Sequence, residues 1–161
     1  MDERVALDPD PSGGGTSTES AEEPRTAAPA LPTVVAVVVT HNPGPWFEES
    51  LSALVNQEYP NLSILVFDTN SDQDPTHRIA EVAPKAYVRR LDRNAGPGEA
   101  VNNALSMVEG APFFLVCHDD VALAPNAVRL LVEEAYRSNA GVVGPKIVRR
   151  DQPEAPLSAG T

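Results

Sequence analysis

The chain has 161 residues, a formal net charge of −11, an apolar share of 42% and one cysteine. That length suits one domain, or one domain with a tail, and the apolar share is enough for a core. The charge argues against a nucleic-acid binder, and a lone cysteine excludes a disulfide framework or a multi-cysteine zinc site. No apolar run approaches the roughly 18 residues that span a bilayer, and the N-terminus lacks the basic-then-apolar layout of a secretory signal. The composition therefore describes a soluble, acidic, cytoplasmic domain.

Residues 1–32 carry Gly13-Gly14-Gly15, scattered Ser, Thr, Pro and Ala, and no aromatic side chain. Asp2, Glu3, Asp8, Asp10, Glu19, Glu22 and Glu23 outnumber Arg4 and Arg25 there. Such a segment buries too little apolar surface to offset its ordering entropy, so it reads as a disordered acidic leader. The domain is expected over 33–150, and 151–161 looks like a second disordered tail.

Between these ends, strands and helices alternate. Val34 to Val39 is a continuous β-branched run, as in a strand covered on both faces. Gly44-Pro45 interrupts, and Trp46 is placed to pack at the start of a helix on which Phe47, Leu51, Leu54 and Val55 recur. Leu62 to Phe67 predicts a second strand ending at Asp68, followed by a short helix over Pro75 to Val82. Ala86 to Leu91 predicts a third strand. Val101, Ala104, Leu105 and Val108 mark an amphipathic helix. Phe113 to Cys117 predicts a fourth strand, Val128, Leu131, Val132 and Ala135 a fourth helix, and Val142-Val143 the opening of a fifth strand. Alternation of this kind implies βαβ units and a mostly parallel sheet flanked by helices.

Ligands of such sheets bind outside the carboxyl ends of the strands. Those ends deliver Thr40-His41-Asn42, then Asp68-Thr69-Asn70-Ser71-Asp72, then Arg93 to Gly98, then His118-Asp119-Asp120. Two adjacent carboxylates leaving a buried strand repel, and a hard divalent cation relieves them while holding a diphosphate. The bland alternative is that both acids begin a solvated loop. Asp68 can accept hydrogen bonds from a base or ribose, or simply serve a turn rich in turn-forming residues. The glycines after Asn94 precede a helix N-terminus that favours an anion, and Arg93 is either a phosphate partner or a surface arginine. Cys117 reads as a strand residue, and His41 and His77 as structural or solvated.

Taken together, these pieces resemble family 2 glycosyltransferases of the GT-A type. The resemblance rests on Val37-Val38-Val39-Thr40-His41-Asn42 against a valine-rich strand with T-x-N, and on Leu54-Val55-Asn56-Gln57-Glu58-Tyr59-Pro60 against L-x-x-Q-x-Y-P. It continues through Asp68-Thr69-Asn70-Ser71-Asp72, then Asn94-Ala95-Gly96 to Asn102 against N-x-G-x-x-x-A-x-N, then His118-Asp119-Asp120 against D-x-D. It covers residues 33 to 148, and the His-Asp-Asp variant with the Ala/Pro-rich leader looks most like large actinobacterial members, which suggests cell-wall or polysaccharide biosynthesis.

The resemblance implies a GT-A, Rossmann-like sheet with the acceptor half missing. It implies sugar transfer from a nucleoside-diphosphate sugar to a glycan or lipid-linked acceptor, with inversion, assisted by Mg²⁺ or Mn²⁺. Thr40 and Asn42 would line the nucleotide pocket, Asp68 would accept from the base, Arg93 would lie near the nucleotide, and Asp119 near the ribose and sugar. Asp120 would hold the metal, and His118, standing where the family has its first acid, is a further metal-ligand candidate. The general base belongs beyond the equivalent of Lys146, so no catalytic base is expected on this chain, which would sit in the cytoplasm or at the inner face of a membrane. A receiver-type signalling domain is disfavoured because its acid pair follows the first strand. A non-catalytic nucleotide-sugar-binding module remains the alternative.

Overall fold

The computed structural model describes residues 31–158, with side chains through Gln152. The leader expected over residues 1–32 lies outside the described residues except at its end. There the Tyr59 hydroxyl donates to the Pro32 carbonyl (2.6 Å) and the Asn61 amide to that of Leu31 (2.8 Å).

Four strands, β1 (Val34–Thr40), β2 (Leu62–Asp68), β3 (Tyr87–Arg90) and β4 (Phe113–His118), form one sheet in the order β3-β2-β1-β4. Every pairing in it is parallel. Helices α1 (Phe47–Val55), α2 (Thr76–Val82), α3 (Gly96–Met107) and α4 (Ala127–Ser138) cover it. The expected mostly parallel α/β sheet is therefore present, each strand lying within a residue or two of its sequence run.

The period-two alternation of strand side chains distributes the core. Ala36, Val38 and Val66 meet Phe47, Leu51 and Leu54 of α1 and Ile79 of α2 on one face. Val35, Val37, Leu65 and Phe67 meet Ala100 and Ala104 of α3 on the other. Small residues on α3 let that helix lie close over the valines. Val34 and Tyr59 close a third cluster with Val128 and Val132 of α4. Each valine buried this way contributes about 1.5–3 kcal/mol.

Gln57 explains part of the L-x-x-Q-x-Y-P pattern. Its amide nitrogen donates to the Ala53 and Ala124 carbonyls (3.0 and 2.8 Å), and its Oε1 accepts from the Val128 N–H (3.0 Å) in the first turn of α4. It thus satisfies one of α4's orphan amides from a distant point in the chain, where no local side chain caps the helix.

The end of the chain departs from expectation. Val142-Val143 opens no strand: it is flanked by Gly141 and Gly144-Pro145, too short a run to pair, and Val142 is 91% exposed. The next strand is instead β5 (Ile147–Arg149), paired antiparallel with β6 (Gln152–Ser158) in a separate two-stranded sheet. Residues 152–158 therefore form a strand where a disordered tail was expected, because hairpin pairing needs only a tight turn and backbone groups. Pro156 sits opposite Val148, where the register shifts, as expected of a residue that has no N–H to donate.

Replacing Gln57 with Leu should destabilise the domain by about 1–2 kcal/mol through the lost cap and bridge. Chemical denaturation measures the loss, and hydrogen exchange should show α4 amides losing protection before those of β1.

Candidate functional site

The sheet register sets three chemically active residues side by side at its carboxyl end. Thr40 of β1 is paired with Asp68 of β2, and Val39 with His118 of β4. Strand order reverses between β1 and β4, which makes this rim the topological switch point.

The loops after β1 and β2 are laced together. Thr69 donates both its amide and its hydroxyl to the Thr40 carbonyl (2.9 and 3.0 Å). The Asn42 amide donates to Ser71 Oγ (2.7 Å), and Asn42 Oδ1 accepts from the Asp72 amide (2.8 Å). His41 Nδ1 lies 2.9 Å from the Thr69 carbonyl oxygen. Asn42 and Asn70 reach positive φ (52° and 65°), a left-handed conformation that asparagine tolerates. Arg78 holds the next stretch, donating to Glu48 (2.5 Å) and to the Pro43 and Gly44 carbonyls (each 3.1 Å). That hydrogen bond keeps the Glu48 carboxyl below its usual range. A polar cleft of about 280 Å³ opens between Asn42, Asp72, Asp74 and Arg78. Larger hollows of about 420 and 560 Å³ lie by Ser63, Ile64 and Tyr87, near the opposite strand ends and away from these groups.

Asp68 is completely buried. Its Oδ1 accepts from the Ser71 amide and hydroxyl (3.1 and 2.5 Å). Its Oδ2 makes no hydrogen bond, although Arg90 Nε lies 3.3 Å away, near enough for charge attraction but off the N–H axis. Arg90 was not singled out by sequence, yet strand register sets it opposite Asp68. It also reaches Asp74 (3.3 Å) and donates to the Ser71 carbonyl. Hydrogen bonds from Thr76, with help from Arg90, hold the Asp74 carboxyl low. No local sequence signal marks Arg90, because its role comes from the register that pairs β3 with β2.

On the other side of β1, the Thr40 hydroxyl donates to Asp119 Oδ2 (2.5 Å). His118 Nδ1 lies 3.1 Å from Asp119 Oδ1 and 2.8 Å from Asp120 Oδ1. One ligand atom from each of these three residues falls within 4.8 Å of the others, a spacing compatible with a shared cation. Asp119 is largely covered, whereas His118 and Asp120 are open to solvent.

Arg93 stands apart. Its guanidinium pairs with Glu99 at 2.5 Å, both side chains being well exposed. Gly96 begins α3 with φ +69°, which accounts for a glycine in that loop. Cys117 is inert: burial pushes its thiol up to about 11. Trp46 does not bury itself on α1 but stays half exposed beneath the Arg150 guanidinium, 4.3 Å from the ring centroid.

A parallel α/β sheet with acids gathered at its switch point is the arrangement of doubly wound α/β domains, whose ligands bind outside the carboxyl ends of the strands. The model of glycosyl transferase family 2 matches residues 35–159, and the chain belongs to that family. It is 26% identical over 126 residues to the GalNAc(5)-diNAcBac-PP-undecaprenol beta-1,3-glucosyltransferase of Campylobacter jejuni, covering 75% of this chain and 40% of that protein. Among solved structures it resembles S. aureus TarS 1–349 in complex with UDP, with TM-score 0.56, 26% identity, and 65% of this chain and 33% of that one covered. It also resembles the mannosyltransferase PcManGT of Pyrobaculum calidifontis in complex with GDP-Man and Mn²⁺, with TM-score 0.51, 27% identity and the same coverage. The chain thus spans well under half the length of these relatives, and its fold is the GT-A sheet. Among the described residues, no helix is long and apolar enough to cross a membrane.

Arg90→Met should cost about 2–3 kcal/mol, because it strands a buried carboxylate, while Arg93→Met should cost under about 0.5 kcal/mol. Paired denaturation curves test the contrast. Cys117 should resist alkylation near about pH 8 in the folded protein, where only about one thiol in a thousand is ionised, and react once unfolded. Mass spectrometry with and without denaturant reads this directly.

Proposed function

We propose that this chain is the donor-binding part of a sugar-transferring enzyme that takes a nucleoside-diphosphate sugar. The observation that carries the reading is the convergence of His118, Asp119 and Asp120 beside Thr40, one strand away from the buried Asp68. The family membership and the UDP and GDP-Man complexes of similar structures support it.

The donor set fits a divalent cation of the Mg²⁺ or Mn²⁺ kind. Two carboxylates supply hard oxygens, and the side chain shared between them, His118, offers only a nitrogen. Asp120, open to solvent, would hold the ion. When bound, such an ion neutralises charge on the departing diphosphate. Asp119, fixed by Thr40, would face the ribose and sugar. The Asp68 oxygen that lacks a hydrogen bond would accept from the base.

Thr40 and Asn42 act differently from simple pocket lining in this reading. The Thr40 hydroxyl is engaged by Asp119, and the Asn42 side-chain Oδ1 by the Asp72 amide, so both act mainly by positioning the acids. Among the described residues Arg93 pairs only with an exposed glutamate, a contact worth about 0–1 kcal/mol. It is therefore free to turn towards a phosphate at the start of α3.

Chemically, the bond between the anomeric carbon and the diphosphate oxygen breaks as an acceptor hydroxyl attacks from the opposite face, with inversion. On the family pattern, the carboxylate that takes the hydroxyl proton belongs to the acceptor-binding half. The acceptor class we favour is a glycan or lipid-linked sugar, met at the inner face of a membrane during polysaccharide or cell-wall synthesis.

Calorimetric titration with UDP and GDP tests the reading. Affinity should rise at least about tenfold when Mn²⁺ is present, since metal and diphosphate tighten each other by linkage. Asp120→Asn should abolish that rise and leave affinity in EDTA and the circular dichroism spectrum unchanged. Equal diphosphate affinity in the variant and the parent, with Mn²⁺ present, would return the rim to a plain solvated loop.

A further inference from the structure

We infer that His118 is a nitrogen ligand that tunes the donor-site cation towards Mn²⁺ and away from Mg²⁺. The inference rests on the donor-binding reading above and adds a specificity determinant to it. His118 and Asp120 flank Asp119 at the end of β4, and the imidazole Nδ1 lies within 2.8 and 3.1 Å of one oxygen from each acid. It occupies the point from which both carboxylates are within reach. It also projects into solvent, 69% exposed, so an incoming ion can reach it.

Ligand chemistry then decides the preference. An acid at position 118 would give a third hard oxygen and a third negative charge. An imidazole gives neither. Mg²⁺ demands oxygen donors and near-ideal octahedral geometry, and it gives up its water reluctantly. Mn²⁺ also takes mainly oxygen ligands, but as a transition ion it stands on the affinity series for mixed nitrogen and oxygen sites, where Mg²⁺ has no place. Asp119 is tied to Thr40 through Oδ2, which leaves Oδ1 as the oxygen it turns towards His118. The groups most available to an incoming ion are therefore one nitrogen and two oxygens, a mixed set that costs Mg²⁺ more than Mn²⁺.

The decisive experiment uses the full chain with UDP and compares two readouts. Pulsed electron paramagnetic resonance of bound Mn²⁺ should show a histidine nitrogen coupling that shifts when histidine is ¹⁵N-labelled. His118→Gln should remove the coupling, and His77→Gln, whose ring is exposed on α2, should keep it. In parallel, UDP titrations should show Mn²⁺ supporting affinity at least about tenfold better than Mg²⁺ in the parent, with His118→Asp narrowing the gap to about threefold or less.

A Mn²⁺ site without nitrogen coupling, or a metal preference unchanged in His118→Asp, overturns the inference. If Asp120→Asn still abolishes metal-dependent UDP binding in that case, the donor-site reading stands and only the role of His118 falls. If Asp120→Asn has no effect either, both fall together.

Discussion

The parallel register of β1 between β2 and β4 is the constraint on which the remaining features depend. Val34 to Val38 are buried on both faces, so β1 cannot slip by one residue without driving its alternating side chains into the wrong helix layer. Fixing β1 fixes its last residue, Thr40, level with Asp68 on one side and just beyond the pairing of Val39 with His118 on the other. The carbonyl of Thr40 then anchors the β2 loop through Thr69, while its hydroxyl anchors Asp119. One threonine at the end of the central strand thereby ties together two acidic loops that are far apart in sequence. The apolar core and the polar rim are two consequences of the same register.

Much of this was legible because the signals were long and periodic. The Val34–Val39 run, the helical spacing in α3 and α4, and acids directly following apolar runs each specify a strand, a helix or a rim position. The failures have physical causes too. Val142-Val143 carries strand propensity, but glycine on either side and Pro145 leave no length to pair. Gln152 to Ser158 has a disordered-looking composition, yet hairpin pairing uses backbone groups that composition does not report. Within the site, Asp68, Asp119 and Asp120 could be read from their places after strands. Arg90 could not, because its role depends on which residue stands opposite in a neighbouring strand. Conversely, Arg93 drew attention by lying beside a glycine-rich loop, but its paired neighbour is an exposed glutamate. Trp46 was expected to pack on α1, and its half-exposed face is covered instead by Arg150, which also bonds Glu49, from a turn beyond the recognisable pattern.

The two acidic groups at the rim are balanced in opposite ways, and this difference follows from burial. Asp68 has no access to solvent, so its charge must be met within the protein, by Ser71 and by Arg90 across the strand pair. A buried carboxylate stripped of its partner is costly, which makes this part of the rim rigid. Asp119 and Asp120 lie progressively further into water, where solvent shares the burden of neighbouring charges. Beside them stands a single imidazole, whose Nδ1 lies 3.1 and 2.8 Å from one oxygen of each, so nitrogen and oxygen donors meet at one point of the rim. The rim thus combines a buried acid held by Ser71 and Arg90, one oxygen of which makes no hydrogen bond, with an acidic pair whose second member is open to solution. The strand register sets these two environments on either side of β1.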